Sequence, residues 1–199
     1  MRRSLTETDL ERANIPPAYW RMKLDGVLPR YRKNVYHYLR TIEDRIRFGD
    51  GILIYGNPGV GKTAISTLIV KEAIARGYKA YFTSIWDMRD HLKERTYFSD
   101  DLSVMARARS VDVLVLDDLR SSDIGNRWFG REDITSLLLY RSSGNLPTIV
   151  TTSETPVSIK ENYPELVTRL SDRLATLVVR GEDRRLSNRE ELNRRVLGE

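Results

Sequence analysis

The sequence predicts an α/β fold, with a five-stranded, mainly parallel sheet flanked by helices. Short apolar runs of strand length alternate with segments whose apolar residues recur at helical spacing, the pattern of parallel strands joined by helical crossovers. Three polar clusters, residues 56–63, 117–118 and 151–153, fall at the C-terminal ends of expected strands. In an open parallel sheet those ends border the crevice where ligands bind.

Taken in order, Leu5–Ala13 is a short polar helix, broken by Ile15-Pro16-Pro17. Residues 30–48 read as one amphipathic helix, with Tyr31, Val35, Tyr38, Leu39, Ile42 and Ile46 at core spacing and Gly49 and Gly51 ending it. Its tyrosines are expected to pack rather than stack. Ile52–Tyr55 is a buried strand, and Thr63–Arg76 a helix with Ile65, Leu68, Ile69 and Ala73 on one face and Gly77 as its stop. Lys79–Thr83 is a strand, and Ile85–Arg95 and Leu102–Arg109 are helices. Val113–Leu116 is a strand, Ile134–Arg141 a helix, Thr148–Thr152 a strand, Leu166–Leu174 a helix, Leu177–Val179 a strand and Asn188–Val196 a last helix. The 79–83 strand falls between the first strand and the 113–116 strand along the chain, and is read as the one inserted between them. Residues 1–14 are assigned to an N-terminal extension and 15–199 to one domain.

Composition narrows the chemistry. With no cysteine, disulfide scaffolds, thiolate zinc sites and cysteine nucleophiles are excluded, and two histidines cannot build a histidine-rich metal site. No apolar run approaches a membrane span, and Glu7, Asp9 and Glu11 follow the basic start where a signal sequence needs an apolar stretch, so a soluble cytoplasmic protein is expected. The net charge is +5, and residues 1–50 carry a surplus of +4. Arginine outnumbers lysine 26 to 7, which suits bidentate contacts to phosphate or carboxylate.

Gly56-Asn57-Pro58-Gly59-Val60-Gly61-Lys62-Thr63 fits G-x-x-x-x-G-K-[ST], and it lies between a strand and a helix, where a phosphate loop must lie. Glycines let the backbone N–H groups turn inward around an anion, and the positive end of the following helix, from Ala64 on, points at the same place. Lys62 is placed for the β- and γ-phosphates of ATP, and the Thr63 hydroxyl for Mg²⁺. The acidic half of the site is Asp117-Asp118, closing the Val113–Leu116 strand. Asp117 is expected to hold Mg²⁺ and Asp118 to polarise the attacking water.

These motifs, with Pro147–Ser153 and Arg169-Leu170-Ser171-Asp172-Arg173-Leu174, lie in the order and spacing of AAA+ ATPases. The sequence most resembles the DnaC-type helicase loaders and IstB-type transposition helpers, over about residues 15–186. Ile15-Pro16-Pro17-Ala18-Tyr19 is similar to the start of their ATPase domain, and Gly181–Arg185 to the segment carrying their sensor-2 arginine. The resemblance implies Ser153 as the sensor-1 residue, where the family usually has Asn, with Thr152 as the substitute. It implies Arg173 as an arginine finger acting in a neighbouring subunit, with Arg169 as second candidate, and Arg185, or else Arg184, as sensor 2. It places adenine contacts near Ile15 and Tyr19. Asp118 stands where many AAA+ proteins have Glu, and predicts slow turnover. Only residues 186–199 follow the sensor-2 segment, too few for the family's full α-helical lid.

The resemblance implies an ATP hydrolase using Mg²⁺, forming an ATP-dependent homo-oligomer on single-stranded DNA with a replicative helicase. The alternatives are a transposition helper acting on duplex DNA with a transposase, and a nucleotide-dependent assembly switch with negligible turnover. Candidate DNA contacts are Trp86, Arg89, His91, Lys93, Arg95, Tyr97 and Phe98. Asn126–Arg131 is a candidate intersubunit or partner loop.

Overall fold

The computed structural model describes residues 2–93, 104–120, 131–164 and 172–198. After α1 (Glu7–Arg12), α2 (Pro29–Arg40) and α3 (Ile42–Phe48), strands and helices alternate: β1 (Gly51–Tyr55), α4 (Lys62–Ala75), β2 (Ala80–Ser84), α5 (Ile85–Lys93), α6 (Val104–Ser110), β3 (Val113–Asp117), α7 (Arg131–Ser143), β4 (Thr148–Thr152), α8 (Pro156–Asn162), β5 (Leu174–Val178) and α9 (Arg184–Leu197). All strand pairs are parallel and the order is β2-β3-β4-β1-β5. The strand between β1 and β3 is therefore β4, not the 79–83 strand, which becomes β2 at the edge. Chain order misleads here because α4 carries the chain past two positions, which β3 and β4 then fill on the way back.

Successive residues of a strand face opposite sides, and the core divides accordingly. Val113 and Val115 join α1, α2 and α4, while Leu114 and Leu116 join α5, α6 and α7. Helix α4 is buried nearly all round rather than on one face. The extra cover is the N-terminal segment: Leu10, Ala13 and Ile15 share the α4 core, Arg2 pairs with Glu72 at 2.8 Å, and the Arg3 N–H donates to Ala75 O. The same segment caps the outer edge of β2, with Phe82 N–H donating to Ala13 O at 2.8 Å and Asn14 Nδ2 to Phe82 O at 3.0 Å. An open strand edge is thereby closed.

Several boundaries differ from expectation: α7 and α9 start three and four residues earlier than read, and α8 was not read as an element. The 30–48 helix is broken at Thr41, whose hydroxyl donates back to His37 O at 2.9 Å, a local bond that competes with helix continuation. Leu174, expected to end a helix, is the first residue of β5, paired with Gly51, so this strand starts three residues earlier than read. Ala175 and Thr176 are exposed on this edge strand, which interrupts the apolar run that marks a buried strand. The rest of the expected 166–174 helix, apart from Asp172 and Arg173, lies outside the described residues.

At the opposite end of the sheet from the polar clusters, Arg141 is fully buried. It donates to Ala108 O, Val111 O, Asp112 O, Pro147 O and Thr148 Oγ1, tying the turns that lead into β3 and β4. Burial pushes its pKa down to about 10. No helix among the described residues is long and apolar enough to cross a membrane.

Candidate functional site

Strand β1 delivers the chain into Gly56–Gly61, and α4 begins at Lys62 without a side-chain cap, leaving its first N–H groups available to an anion. Two glycines are required by their neighbours. A Cβ at Gly56 would run into the Val179 carbonyl, and one at Gly59, whose φ is +76°, into the Asp183 carboxylate. The loop is thus clasped by the segment leaving β5, with the Arg184 N–H donating to Gly59 O at 3.2 Å. Val60 is buried and anchors the loop, whereas Asn57 and Pro58 at its tip are exposed. Lys62 folds back across the loop and donates to Gly56 O and Asn57 O, both at 2.8 Å. Burial lowers its pKa, opposed by Asp118 and Asp117. A desolvated ammonium bonded only to carbonyls gains from meeting a phosphate.

Asp117 ends β3 and is buried. Thr63 Oγ1 donates to its Oδ2 at 3.0 Å and Thr151 Oγ1 to its Oδ1 at 2.7 Å. Burial raises the Asp117 pKa, while the two hydroxyls lower it. One hydroxyl and one carboxylate at the foot of a phosphate loop fit Mg²⁺, a hard cation that keeps waters and takes its remaining ligands from phosphates. Thr63 and Asp117 would hold it, and it would neutralise charge on the phosphate oxygens.

The next residue, Asp118, adopts left-handed backbone, with φ +55°. Its N–H donates to Thr151 Oγ1 at 2.9 Å, and its half-exposed carboxylate meets Arg120 at 3.0 Å. Thr151 therefore sets both acids at once, one through each side of its hydroxyl. Sequence reasoning passed it over for Ser153 and Thr152. Thr152, on the opposite side of β4, donates to Leu119 O at 2.6 Å and accepts from Glu154 N–H, so its hydroxyl serves the loop after β3. Ser153 follows the end of β4, partly exposed. Strand alternation was the signal that could have found Thr151: β3 and β4 pair Leu116 with Val150, which sets the next residues, Asp117 and Thr151, side by side.

Of the sensor-2 candidates, Arg185 is largely exposed and meets Asp183 at 3.8 Å, with its charge reaching Lys62 and Tyr19. The Arg184 guanidinium donates to Gly26 O at 2.8 Å and lies beside Gly61 of the phosphate loop. Tyr19 is a further resident. Burial raises its pKa, with Asp117 adding to the shift and Thr63 and Arg185 opposing it. Lys71 on α4 fixes the turn carrying it, donating to Tyr19 O, Trp20 O and Met22 O at 2.6 to 2.9 Å. Val27, Leu28, Tyr31, Val60, Ala64, Ile65 and Val179 close around a space of about 10 Å³ beside the phosphate loop. Ile15 is buried in the α1–α4 core instead.

Arg173 stands at the start of β5, the end of the sheet opposite the loop, where its backbone carbonyl accepts from Gly51 N–H and its guanidinium donates to Phe48 O. It is not part of this chain's own site. Arg169 lies outside the described residues.

A model of the IstB-like ATP binding protein family matches residues 33–191. The chain belongs to this family. The IS21-like insertion-sequence ATP-binding protein of Bacteroides fragilis strain YCH46 is 29% identical over 111 residues, covering 50% of this chain and 56% of the relative. The replicative helicase loader DnaI of Bacillus subtilis is 26% identical over 115 residues, 58% of this chain and 37% of the relative. The chain thus spans about half or less of the length of these curated relatives. The crystal structure of the DnaC helicase loader superposes with a TM-score of 0.68 at 25% identity, over 82% of this chain and 99% of that one. AMPPCP-bound DnaA from Aquifex aeolicus superposes at 0.62 with 23% identity, over 90% and 56%. The fold of this IstB-like protein is that of AAA+ P-loop ATPases.

The expected DNA-contact helix of this IstB-like protein is α5. There Ile85 and Met88 are buried, Trp86 is exposed under the Arg89 guanidinium at 3.6 Å, and Asp87 caps the helix through Ser84. Arg95, Tyr97, Phe98 and the 126–130 loop lie outside the described residues, as do the side chains of His91, Lys93 and Arg131.

Proposed function

We propose that the chain is a Mg²⁺-dependent ATP hydrolase that assembles subunit to subunit on single-stranded DNA and a replicative helicase, with ATP binding building the assembly and hydrolysis releasing it. The observation that carries the reading is the division of the machinery between two ends of the sheet. Lys62, Thr63, Asp117 and Asp118 gather at the strand C-termini, while Arg173 sits at the start of β5. In this reading Lys62 and the loop N–H groups bind the phosphates, Asp118 orients the attacking water, and Ser153 follows the state of the γ-phosphate. Arg173 completes a neighbour's site, so turnover requires assembly. Asp118 has a shorter reach than Glu, which supports slow turnover.

A second reading, a transposition helper acting on duplex DNA with a transposase, is supported by the insertion-sequence relative. The two share a site and differ in partner. ATP turnover should rise with protein concentration and with single-stranded DNA, and the protein should co-purify with a hexameric helicase from its host. Stimulation by duplex alone, with a transposase recovered, would favour the second reading. Nucleotide binding without turnover under any of these conditions would leave only an assembly switch.

A further inference from the structure

Helices α2 and α3 carry an outer surface that the nucleotide site does not use. Arg30, Lys33, Tyr36, His37 and Arg40 are exposed on α2. At about 100° per residue they fall within roughly 120° of arc, a stripe about 15 Å long. Helix α3 follows after one residue and ends in Arg47 and Phe48, both exposed. Tyr36 and Phe48 are among the large apolar side chains most open to water, at 50% and 55% exposure. Each ring has an arginine over it, Arg40 at 5.9 Å from the Tyr36 centroid and Arg47 at 5.7 Å from that of Phe48.

Cations outnumber acids on this surface among the described residues, with Asp172 lining the same cavity as Lys33 and His37. Glu43 is engaged by Arg76 at 3.0 Å and Asp50 by Arg45 at 2.8 Å. Among the described residues, that leaves Asp44 as the acid of α2 and α3 without a cationic partner, against Arg30, Lys33, Arg40 and Arg47, which have no acidic partner. Cations alone would suit an acidic peptide as well as a phosphate backbone. The interleaved exposed rings distinguish the two, because a ring's uncovered face is a platform for an unstacked base and the arginine beside it adds a cationic contact.

We propose that the α2–α3 surface is a binding track for single-stranded nucleic acid, with Tyr36 and Phe48 stacking bases and Lys33, Arg40 and Arg47 neutralising phosphates. It rests on the reading above that the chain works on DNA, and it adds a contact surface outside α5.

The test uses the full chain and a fluorescent oligothymidine, with anisotropy measured across salt and with or without a non-hydrolysable ATP analogue. Tyr36→Leu/Phe48→Leu should weaken binding about tenfold or more. Arg40→Ala/Arg47→Ala should weaken it as well and make the log affinity against log salt slope shallower by about 1.4, for two lost phosphate contacts. Both variants should bind the ATP analogue like wild type. A 5-iododeoxyuridine oligonucleotide should photo-crosslink to Tyr36 or Phe48. Wild-type affinity in both double variants, with crosslinks elsewhere, overturns the track; if Trp86→Leu weakens binding in that case, the wider DNA reading survives. Failure of wild type to bind single strands in any nucleotide state overturns both. Equal competition by polyglutamate, lost in the same variants, makes the surface a protein-docking site and overturns the track.

Discussion

The Thr151 hydroxyl donates to Asp117 Oδ1 at 2.7 Å and accepts the Asp118 N–H at 2.9 Å, so one side chain on β4 orients both acids at the end of β3. Its removal leaves a buried carboxylate short of a donor, a loss of about 1–3 kcal/mol. Thr151→Val should therefore weaken Mg²⁺-dependent nucleotide binding about tenfold. Thr151→Ser should restore most of it, because the hydroxyl returns. A Mg²⁺ titration with a fluorescent nucleotide reads this directly, and an unchanged midpoint in Thr151→Val would remove Thr151 from the site.

Asp117 and Asp118 should separate by stability as well as by turnover. Burial raises the Asp117 pKa, so its ionised form costs folding free energy at neutral pH in the nucleotide-free protein. That cost is fully present above the folded pKa and vanishes below the ordinary carboxylate range, where the group is protonated folded and unfolded alike. Asp117→Asn should thus raise the nucleotide-free Tm at pH 7, with the gain shrinking as pH falls through the raised pKa, and should lose the further Tm rise given by Mg²⁺ and nucleotide. Asp118→Asn, at a half-exposed position, should keep the nucleotide-dependent rise and lose turnover. A nucleotide-free Tm unchanged or lowered by Asp117→Asn would contradict the desolvation account.

Tyr19 places a third hydroxyl beside the expected Mg²⁺ ligand. Thr63 Oγ1 donates to Asp117 and keeps two lone pairs, of which a cation needs one. A phenol beside Thr63 competes with Mg²⁺ for those lone pairs. A single net hydrogen bond contributes about 0.5–1.5 kcal/mol, so Tyr19→Phe should tighten Mg²⁺-nucleotide binding two- to tenfold while leaving Mg²⁺-free nucleotide binding unchanged. Weaker Mg²⁺-dependent binding would mean instead that the hydroxyl assists the bound state.

The phosphate loop, the acidic pair and most strand positions were legible because each is a local pattern: a glycine spacing, a strand-terminal acid, an apolar run. Order across the sheet was not, since the position of β4 between β1 and β3 depends on how far α4 carries the chain. Thr151 escaped because family spacing pointed to Ser153, two residues on, whereas pairing with β3 decides which hydroxyl meets Asp117. Tyr19 was expected near the adenine by resemblance, and its place beside Thr63 was not legible for a different reason. Its approach to Thr63 depends on Lys71, 52 residues away, collecting three carbonyls of one turn. The integration of residues 2–14 into the α4 core was hidden because Leu10 and Ala13 bury too few apolar atoms to stand out in a polar segment.

Arg173 makes the sharpest test of assembly. Its position at the start of β5 separates it from its own phosphate loop by the length of the sheet, and its guanidinium already donates to Phe48 O. An arginine supplied from a neighbour stabilises transition-state charge and contributes about 10³–10⁵ in rate where the chemistry depends on it, less in a slow enzyme. Arg173→Ala should therefore bind nucleotide like wild type and fail to hydrolyse it. Lys62→Ala should lose nucleotide binding but keep its fold and its finger. Mixed, the two should recover part of the turnover, since one subunit brings an intact loop and the other an intact arginine, and only the interface between them is complete. The recovered rate should depend on total protein concentration and peak at an intermediate ratio. If the variants co-assemble and turnover stays at the level of either alone, Arg173 does not act across the interface, and Arg169 becomes the residue to test.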